Sequence, residues 1–295
     1  TSDLIVTAKR KLSEDFSMSL LVGQNVRQRS TNIQFSEINS LTIPFYYNLA
    51  NSANPPKTTN TSTMRRLHGV YGSLDLSFRN YLFLGVTGRN DWSSTLPGNK
   101  NNFFYPSVNA SFVFSDAFPM PAFLSYGKVR ASAAQVGNDA APYLLQSVFI
   151  TGSVTDGYAQ SQVDFPLDGV PGFTQSDIIG NPNLKPEITT SYEVGLEFGL
   201  FSNRINFEGT VYTNRSRNQI ITVPIAPTTG FDFMTLNAGL ITNKGIELLL
   251  RGTPIRSKNF SWEATAMFTK NKNKVVELFP GTTQLSLGGL NAAAL

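Results

Sequence analysis

The chain has no cysteine, one histidine and no apolar run long enough to form a membrane-crossing helix. Without cysteine, disulfides and thiolate metal sites are excluded. A single histidine, His68, excludes multi-histidine metal centres and leaves no imidazole for a second base. His68 stands at the start of an alternating segment and reads as a rim residue. No Gly-x-Ser-x-Gly elbow, phosphate-binding loop or dinucleotide fingerprint occurs, so nothing points to an enzyme. Charge is sparse in both signs: 24 basic and 20 acidic residues leave a net +4, scattered along the chain. That distribution offers no nucleic-acid footprint. Mean hydropathy is −0.11. A transmembrane strand needs only about 9–11 residues, half of them apolar, so the average leaves a β-barrel open.

What the chain does have is alternation. Val70, Leu74, Leu76 and Phe78 share one parity and Asp75 takes the other. Leu82, Leu84 and Val86 oppose Arg89; Val129, Ala131 and Ala133 alternate with Lys128 and Arg130. Tyr192, Val194, Leu196 and Phe198 alternate with Glu193 and Glu197, and Ile205, Phe207 and Val211 oppose Glu208. Ile246, Leu248 and Leu250 oppose Glu247 and Arg251; Phe260, Trp262, Ala264, Ala266 and Phe268 oppose Glu263. Strand side chains alternate faces, so each segment has one apolar face and one charged or hydroxyl-bearing face.

The pattern predicts strands at 3–10, 15–26, 67–78, 81–91, 104–114, 124–135, 189–200, 204–214, 244–253 and 260–270. Their connections alternate between short (Lys11–Glu14, Arg79-Asn80, Ser115–Phe123, Phe201–Asn203, Pro254–Asn259) and mostly long (27–66, 92–103, 136–188, 215–243, 271–295). Outer-membrane barrels show this asymmetry, with tight periplasmic turns and long extracellular loops. Aromatics gather beside the short turns: Phe78, Tyr81 and Phe83; Phe112, Phe114, Phe118 and Phe123; Phe198, Phe201 and Phe207; Phe260 and Trp262. An interfacial girdle accounts for that clustering. The expected fold is all-β, an antiparallel transmembrane β-barrel, with residues 1–295 as one partial barrel domain carrying extracellular loops at about 27–66, 136–188 and 215–243. Small closed barrels fill their interior with side chains, so ten strands with a charged inner face imply part of a larger barrel. A start at Thr1 and an end at Ala-Ala-Ala-Leu295, without a terminal aromatic strand, suit an internal piece.

Several stretches resemble the SusC/RagA family of TonB-dependent outer-membrane transporters. Arg89-Asn-Asp-Trp-Ser-Ser94 is similar to its Arg-x-Asp-x-Ser-Ser pattern, and Phe104-Tyr-Pro-Ser-Val-Asn-Ala-Ser-Phe112 to a barrel strand. Lys128-Val-Arg-Ala-Ser132 followed by Gly137-Asn138 fits another block. Asn181-Pro-Asn-Leu-Lys-Pro-Glu187 with Ser191-Tyr-Glu-Val-Gly-Leu-Glu197 is the most telling match. Asn237-Ala-Gly239, Asn243-Lys-Gly-Ile-Glu-Leu248, Trp262 and Asn271-Lys-Asn-Lys-Val275 continue it in order. Ala133-Ala134 and Trp92 depart from the usual Tyr-Gly and Gly. By itself, Asn181–Glu187 reads as a rigid strand lead-in, since Pro182 and Pro186 force extended backbone.

The resemblance implies a barrel of about 22 strands plugged by an N-terminal domain. This chain resembles the barrel's middle, and the plug finds no counterpart in it. It further implies import of oligosaccharides or peptides across a Gram-negative outer membrane, a SusD-like lipoprotein lid, coupling through TonB–ExbB–ExbD, and paired transporter–lipoprotein units. Rival readings are a siderophore- or cobalamin-type TonB-dependent transporter, a passive porin or structural surface barrel, and a soluble β-rich binding module. In or beside the long loops, Trp92, Phe103, Phe104, Tyr105, Tyr143, Tyr158 and Phe231 are the substrate-binding candidates, because sugars and peptides stack on flat rings. Arg89, Arg130, Glu193, Glu197 and Arg251 are expected to face the lumen and the plug. No cofactor is expected: Asp164 and Asp168-Gly169 lack the dense acidic spacing of a calcium loop.

Overall fold

The computed structural model describes residues 1–155, 162–165 and 167–278. Nine strands follow one another antiparallel: β1 (Ser2–Lys11), β2 (Phe16–Glu37), β3 (Lys57–Phe78), β4 (Leu82–Ser93), β5 (Asn102–Phe112), β6 (Leu124–Asn138), then β12 (Glu187–Leu200), β13 (Ile205–Pro224) and β14 (Phe233–Arg256); β15 (Ser261–Glu277) pairs with β14. Between β6 and β12 the chain forms two small hairpins, β7 (Phe149–Thr151) with β10 (Phe173–Gln175) and β8 (Ser153–Thr155) with β9 (Gln162–Asp164). It then adds β11 (Ile178–Ile179) parallel to the far end of β14.

Register turns the separate alternations into two continuous faces. One row runs Phe16, Phe78, Leu82, Phe112, Val129, Leu196, Gly209, Leu248, Phe268 across neighbouring strands. A row on the opposite face runs Ser19, Asp75, Gly85, Asn109, Ser132, Glu193, Tyr212, Gly245, Asn271. A one-residue slip of β12 would put Glu193 and Glu197 on the apolar face, and a slip of β5 would put Asn109 there, so the two faces specify register. Apart from a short helix at the short-turn end, Phe114–Ala117, whose Phe114 ring lies over Gly127, no described element packs on the apolar face, and Leu20, Leu84, Val86, Val108, Val194 and Val211 stay largely exposed on it. A soluble sandwich would bury that face under a second sheet. This one is a partial barrel wall whose apolar band has no second sheet over it among the described residues.

Aromatics border the apolar band. At the short-turn end Phe16, Phe78, Tyr81, Phe112 and Phe118 form a chain of ring contacts 4.9–6.0 Å apart, and Phe198 stacks on Phe207. At the other end His68 stacks on Trp92 at 5.3 Å. Phe78 to His68 is about ten residues of β3, roughly 33 Å along the strand and about 25 Å vertically at a typical barrel tilt. That matches a membrane's apolar band.

The short turns sit together at one end. Arg79 and Asn80 both take left-handed backbone (φ 49° and 59°), as a two-residue hairpin requires. Arg79 is held there by an ion pair with Asp15 of the β1–β2 turn at 2.9 Å and by stacking on Phe78. At the other end the strands run further than alternation predicts. Residues 27–37 pair with 57–67 as hairpin continuations, and 215–224 pair with 233–242. Only 38–56 and 225–232 remain as tips. The β2–β3 extension is largely polar on both faces, as in Arg27-Gln-Arg-Ser-Thr-Asn32, and the β13–β14 extension mixes polar residues with a small buried cluster of Val223, Leu236 and Ala238, so no period-two signal marks either. Backbone pairing carries both outward, joined in the β13–β14 extension by that apolar cluster.

Candidate functional site

The polar face of the wall carries two groups of charge. In the first, Arg130 of β6 reaches across β12 to β13. Its guanidinium meets Glu193 at 2.7 Å, Glu197 at 3.3 Å and Glu208 at 3.0 Å, and donates to Thr210 Oγ1 at 2.7 Å. Lys128 adds a contact to Glu197 at 3.3 Å. Gly195 lies opposite Arg130, and a Cβ there would come within 2.5 Å of its Nε. Glycine at that position is the space through which the arginine crosses. Beside this network lies a groove of about 790 Å³ lined by Ser132, Tyr212, Asn214, Asn243, Glu247 and Thr269, among others.

In the second group the carboxylates are buried. Arg89 and Asp91 of β4 pair at 2.8 Å, Tyr105 of β5 donates its hydroxyl to Asp91, and Arg89 lies 5.2 Å from the Tyr71 ring. A Cβ on Gly69 would collide with both Arg89 and Asp91. Just beyond, Asp139 is fully covered and receives Arg65 Nε at 2.9 Å, Thr95 Oγ1 at 3.1 Å and the Ser93 hydroxyl. A buried carboxylate is tolerated only with such complete pairing.

Next to these acids Leu96, Phe103, Ala140 and Leu184 make a small apolar core. A Cβ on Gly137 would overlap the Phe103 ring. Leu184 is completely buried, and the chain on either side of it is clamped. Asn237 accepts from Lys185 N–H at 2.8 Å and donates to the Lys185 carbonyl at 2.7 Å and the Asn218 carbonyl at 2.9 Å. Glu187 accepts from Ile220 N–H at 2.8 Å and from Asn138 at 3.0 Å. Stretches far apart in sequence thus meet in one rim clasp: the Arg89–Ser94 segment, Gly137-Asn138, Asn181–Glu187 and Asn237–Gly239. Their role here is to bind the long-hairpin end together.

The sequence-based candidates divide by face. Trp92 and Phe104 occupy strands β4 and β5, on the parity of Val86 and Val108, so their rings share the apolar face rather than a loop. Phe103 and Tyr105 also lie in β5, on the polar face, but Phe103 is buried in the clasp and Tyr105 is tied to Asp91. The strand expected at 104–114 begins two residues earlier, at Asn102, and so takes in Phe103, while β4 runs past the expected 91 to include Trp92. Tyr143 accepts a hydrogen bond from Met64 N–H at 3.1 Å and remains exposed. Phe231 is half-buried in the β13–β14 tip, where Thr229 Oγ1 bonds both its N–H and its carbonyl. Tyr158 lies outside the described residues. Arg89, Arg130, Glu193 and Glu197 share the polar face in the two networks. Arg251 shares the parity of Glu247 but joins neither network. Exposed rings that sequence reading missed are Phe45, Tyr46 and Tyr47 at the β2–β3 tip and Phe149 and Phe173 on the β7–β10 hairpin. Local composition gave no signal for them, because only the hairpins' projection exposes them. Among the described residues no group of acidic or histidine side chains could hold a metal ion.

Comparison with known proteins agrees with this architecture. The family model described as "TonB dependent receptor-like, beta-barrel" matches residues 4–290. TonB-dependent receptor P26 of Formosa agariphila is 30% identical over 91% of this chain and 27% of its own length. TonB-dependent receptor SusC of Bacteroides thetaiotaomicron is 28% identical over 75% of this chain and 22% of its own. Among solved structures, the RagAB peptide importer in its closed-closed state superposes with a TM-score of 0.80 at 21% identity, over 97% of this chain and 31% of that one. The ferric enterobactin receptor PfeA of Pseudomonas aeruginosa gives 0.53 at 16% identity, over 91% of this chain and 35% of that one. The chain therefore spans about a quarter to a third of these proteins.

Proposed function

The chain belongs to the TonB-dependent receptor-like β-barrel family, resembling its SusC/RagA members, and from that premise we propose that it forms wall and rim of an outer-membrane importer for oligosaccharides or peptides. The observation that carries the reading is the two-sided wall. One face holds an uncharged band between aromatic girdles, suited to lipid; the other holds Arg130 among three glutamates, suited to an aqueous lumen. The polar face would meet a plug domain and line the route of the substrate. Phe45, Tyr46, Tyr47, Phe149 and Phe173 at the projecting hairpins would meet a SusD-like lipoprotein lid or the captured substrate, together with Tyr143 and Tyr158 of the β6–β12 connection and Phe231 of the β13–β14 tip. Import would draw energy from TonB–ExbB–ExbD through the plug, and two transporter–lipoprotein pairs would assemble together. Residues Asp164 and Asp168 play no metal role in this reading.

Gentle extraction of the full-length protein from outer membranes, followed by intact-complex mass spectrometry, tests this. A stoichiometric lipoprotein and a retained glycan or peptide are expected. A barrel without a lipoprotein but with a bound iron chelate would replace the reading with a siderophore receptor.

A further inference from the structure

Charge on the outward face is unevenly placed. On β13 the parity of Val211 continues through Thr213 to Arg215; on β14 that of Ile246 continues to Lys244; on β15 that of Phe268 continues through Lys270, Lys272 and Lys274. Register sets Lys270 beside Ile246, Lys272 beside Lys244, Lys274 beside Thr242, and Thr242 beside Arg215. With strands about 4.8 Å apart and about 6.7 Å per two residues, these five cations share a patch of roughly 10 by 15 Å. All five are exposed. No outward position of β13, β14 or β15 from the apolar band through this patch carries an acid, and among the described residues none of the five has an ion-pair partner. Other cations of the wall are matched to carboxylates, as Arg130 is to Glu193 and Arg65 to Asp139; what sets this patch apart is that five unmatched cations share one outward face.

Like charges directly across a strand pair, such as Lys244 and Lys272, oppose sheet formation unless an anion lies between them. Position identifies that anion. The patch is the direct continuation of the lipid-type band, at its long-hairpin border, where long cationic side chains lie along apolar surface and present their ends to headgroups. We infer that this face binds the phosphate groups of an outer-leaflet glycolipid, with its acyl chains along Val211, Leu248 and Phe268. The inference rests on the importer reading only for which leaflet this border meets.

The test uses full-length protein in phosphatidylcholine nanodiscs doped with a bisphosphorylated, multiply acylated glycolipid or its dephosphorylated form. The protein is compared with the K244Q/K270Q/K272Q/K274Q variant and with K258Q, whose change lies in a turn at the opposite end. Wild type and K258Q are expected to retain the phosphorylated glycolipid on native mass spectrometry at least five-fold more than the quadruple variant, and none should retain the dephosphorylated form. Heat-modifiable gel mobility is expected to be the same for all three, showing folded barrels. Equal retention by wild type and quadruple variant, or equal retention of the dephosphorylated lipid, overturns the inference, as does a lysine-dependent acidic protein in place of lipid. Loss of the lipoprotein with lysine-dependent lipid intact would remove the importer reading alone; the reverse would remove this inference alone.

Discussion

Below the His68–Trp92 stack each strand has two unlike faces; above it the same strands continue without that alternation, largely polar on β2 and β3 and holding a small apolar cluster on β13 and β14. On β3 the lower part reads Val70, Leu74, Leu76 and Phe78 against Asp75, while Lys57–Thr63 has no apolar side at all. Covalent structure and backbone pairing are the same in both parts. Only the surroundings differ, with lipid on one side of the lower wall and water or loops on both sides of the upper. Stability is correspondingly supplied in different ways. The band depends on transfer of exposed apolar side chains into lipid, whereas the rim depends on its own small core and on the fully paired Asp139.

The strongest way to break this contrast is a charge in the band. Leu196→Arg is expected to cost about 2–4 kcal/mol and to reduce assembled barrel. Thr190→Arg, on the same face of the same strand but nearer the rim, should be close to neutral. Refolding titrations in lipid vesicles separate the two, and equal costs would mean that the apolar face does not meet lipid. Asp139→Asn acts on the rim alone. It keeps shape but weakens the bonds to Arg65, Ser93 and Thr95, at a cost of about 1–3 kcal/mol. Limited proteolysis should quicken within 139–186 while the heat-modifiable band shift is unchanged; cleavage no faster than wild type would refute the clasp.

On the lumen face, Arg130→Gln should destabilise by about 1 kcal/mol, because the network is partly exposed to solvent. A double-mutant cycle with Glu193→Gln should show coupling of at least about 0.5 kcal/mol, and strict additivity would dismiss the pair. The smallest effect belongs to the short turns. The Arg79 hydrogen bond holds the Asp15 carboxyl below its ordinary value. Its contribution is therefore full above the ordinary carboxylate value of about 4 and fades as pH falls through the lowered one. Melting temperatures of wild type and Asp15→Asn should differ slightly at pH 7 and converge near pH 2; a gap independent of pH would show that the ion pair contributes nothing.

Strand alternation, the two kinds of connection and the girdle beside the short turns were all legible in the sequence. They are direct imprints of a strand standing between two solvents. The hairpin extensions at 27–37, 57–66, 215–224 and 233–243 were not, since the first pair is largely polar and the second mixes apolar and polar residues without a period of two. The motif segments were visible, but their task was not. Asn181–Glu187 read as a stiff lead-in, and that stiffness is what delivers Leu184 to a core made by Leu96, Phe103 and Ala140.

By itself, then, the amino-acid order determined which residues face lipid, because a period of two is built into every strand. Tertiary structure alone decided that Arg65 meets Asp139, that Arg130 crosses Gly195 to Glu208, and that five cations of three strands share one outward patch. Each depends on strand register and loop closure, which bring together residues separated by tens of positions.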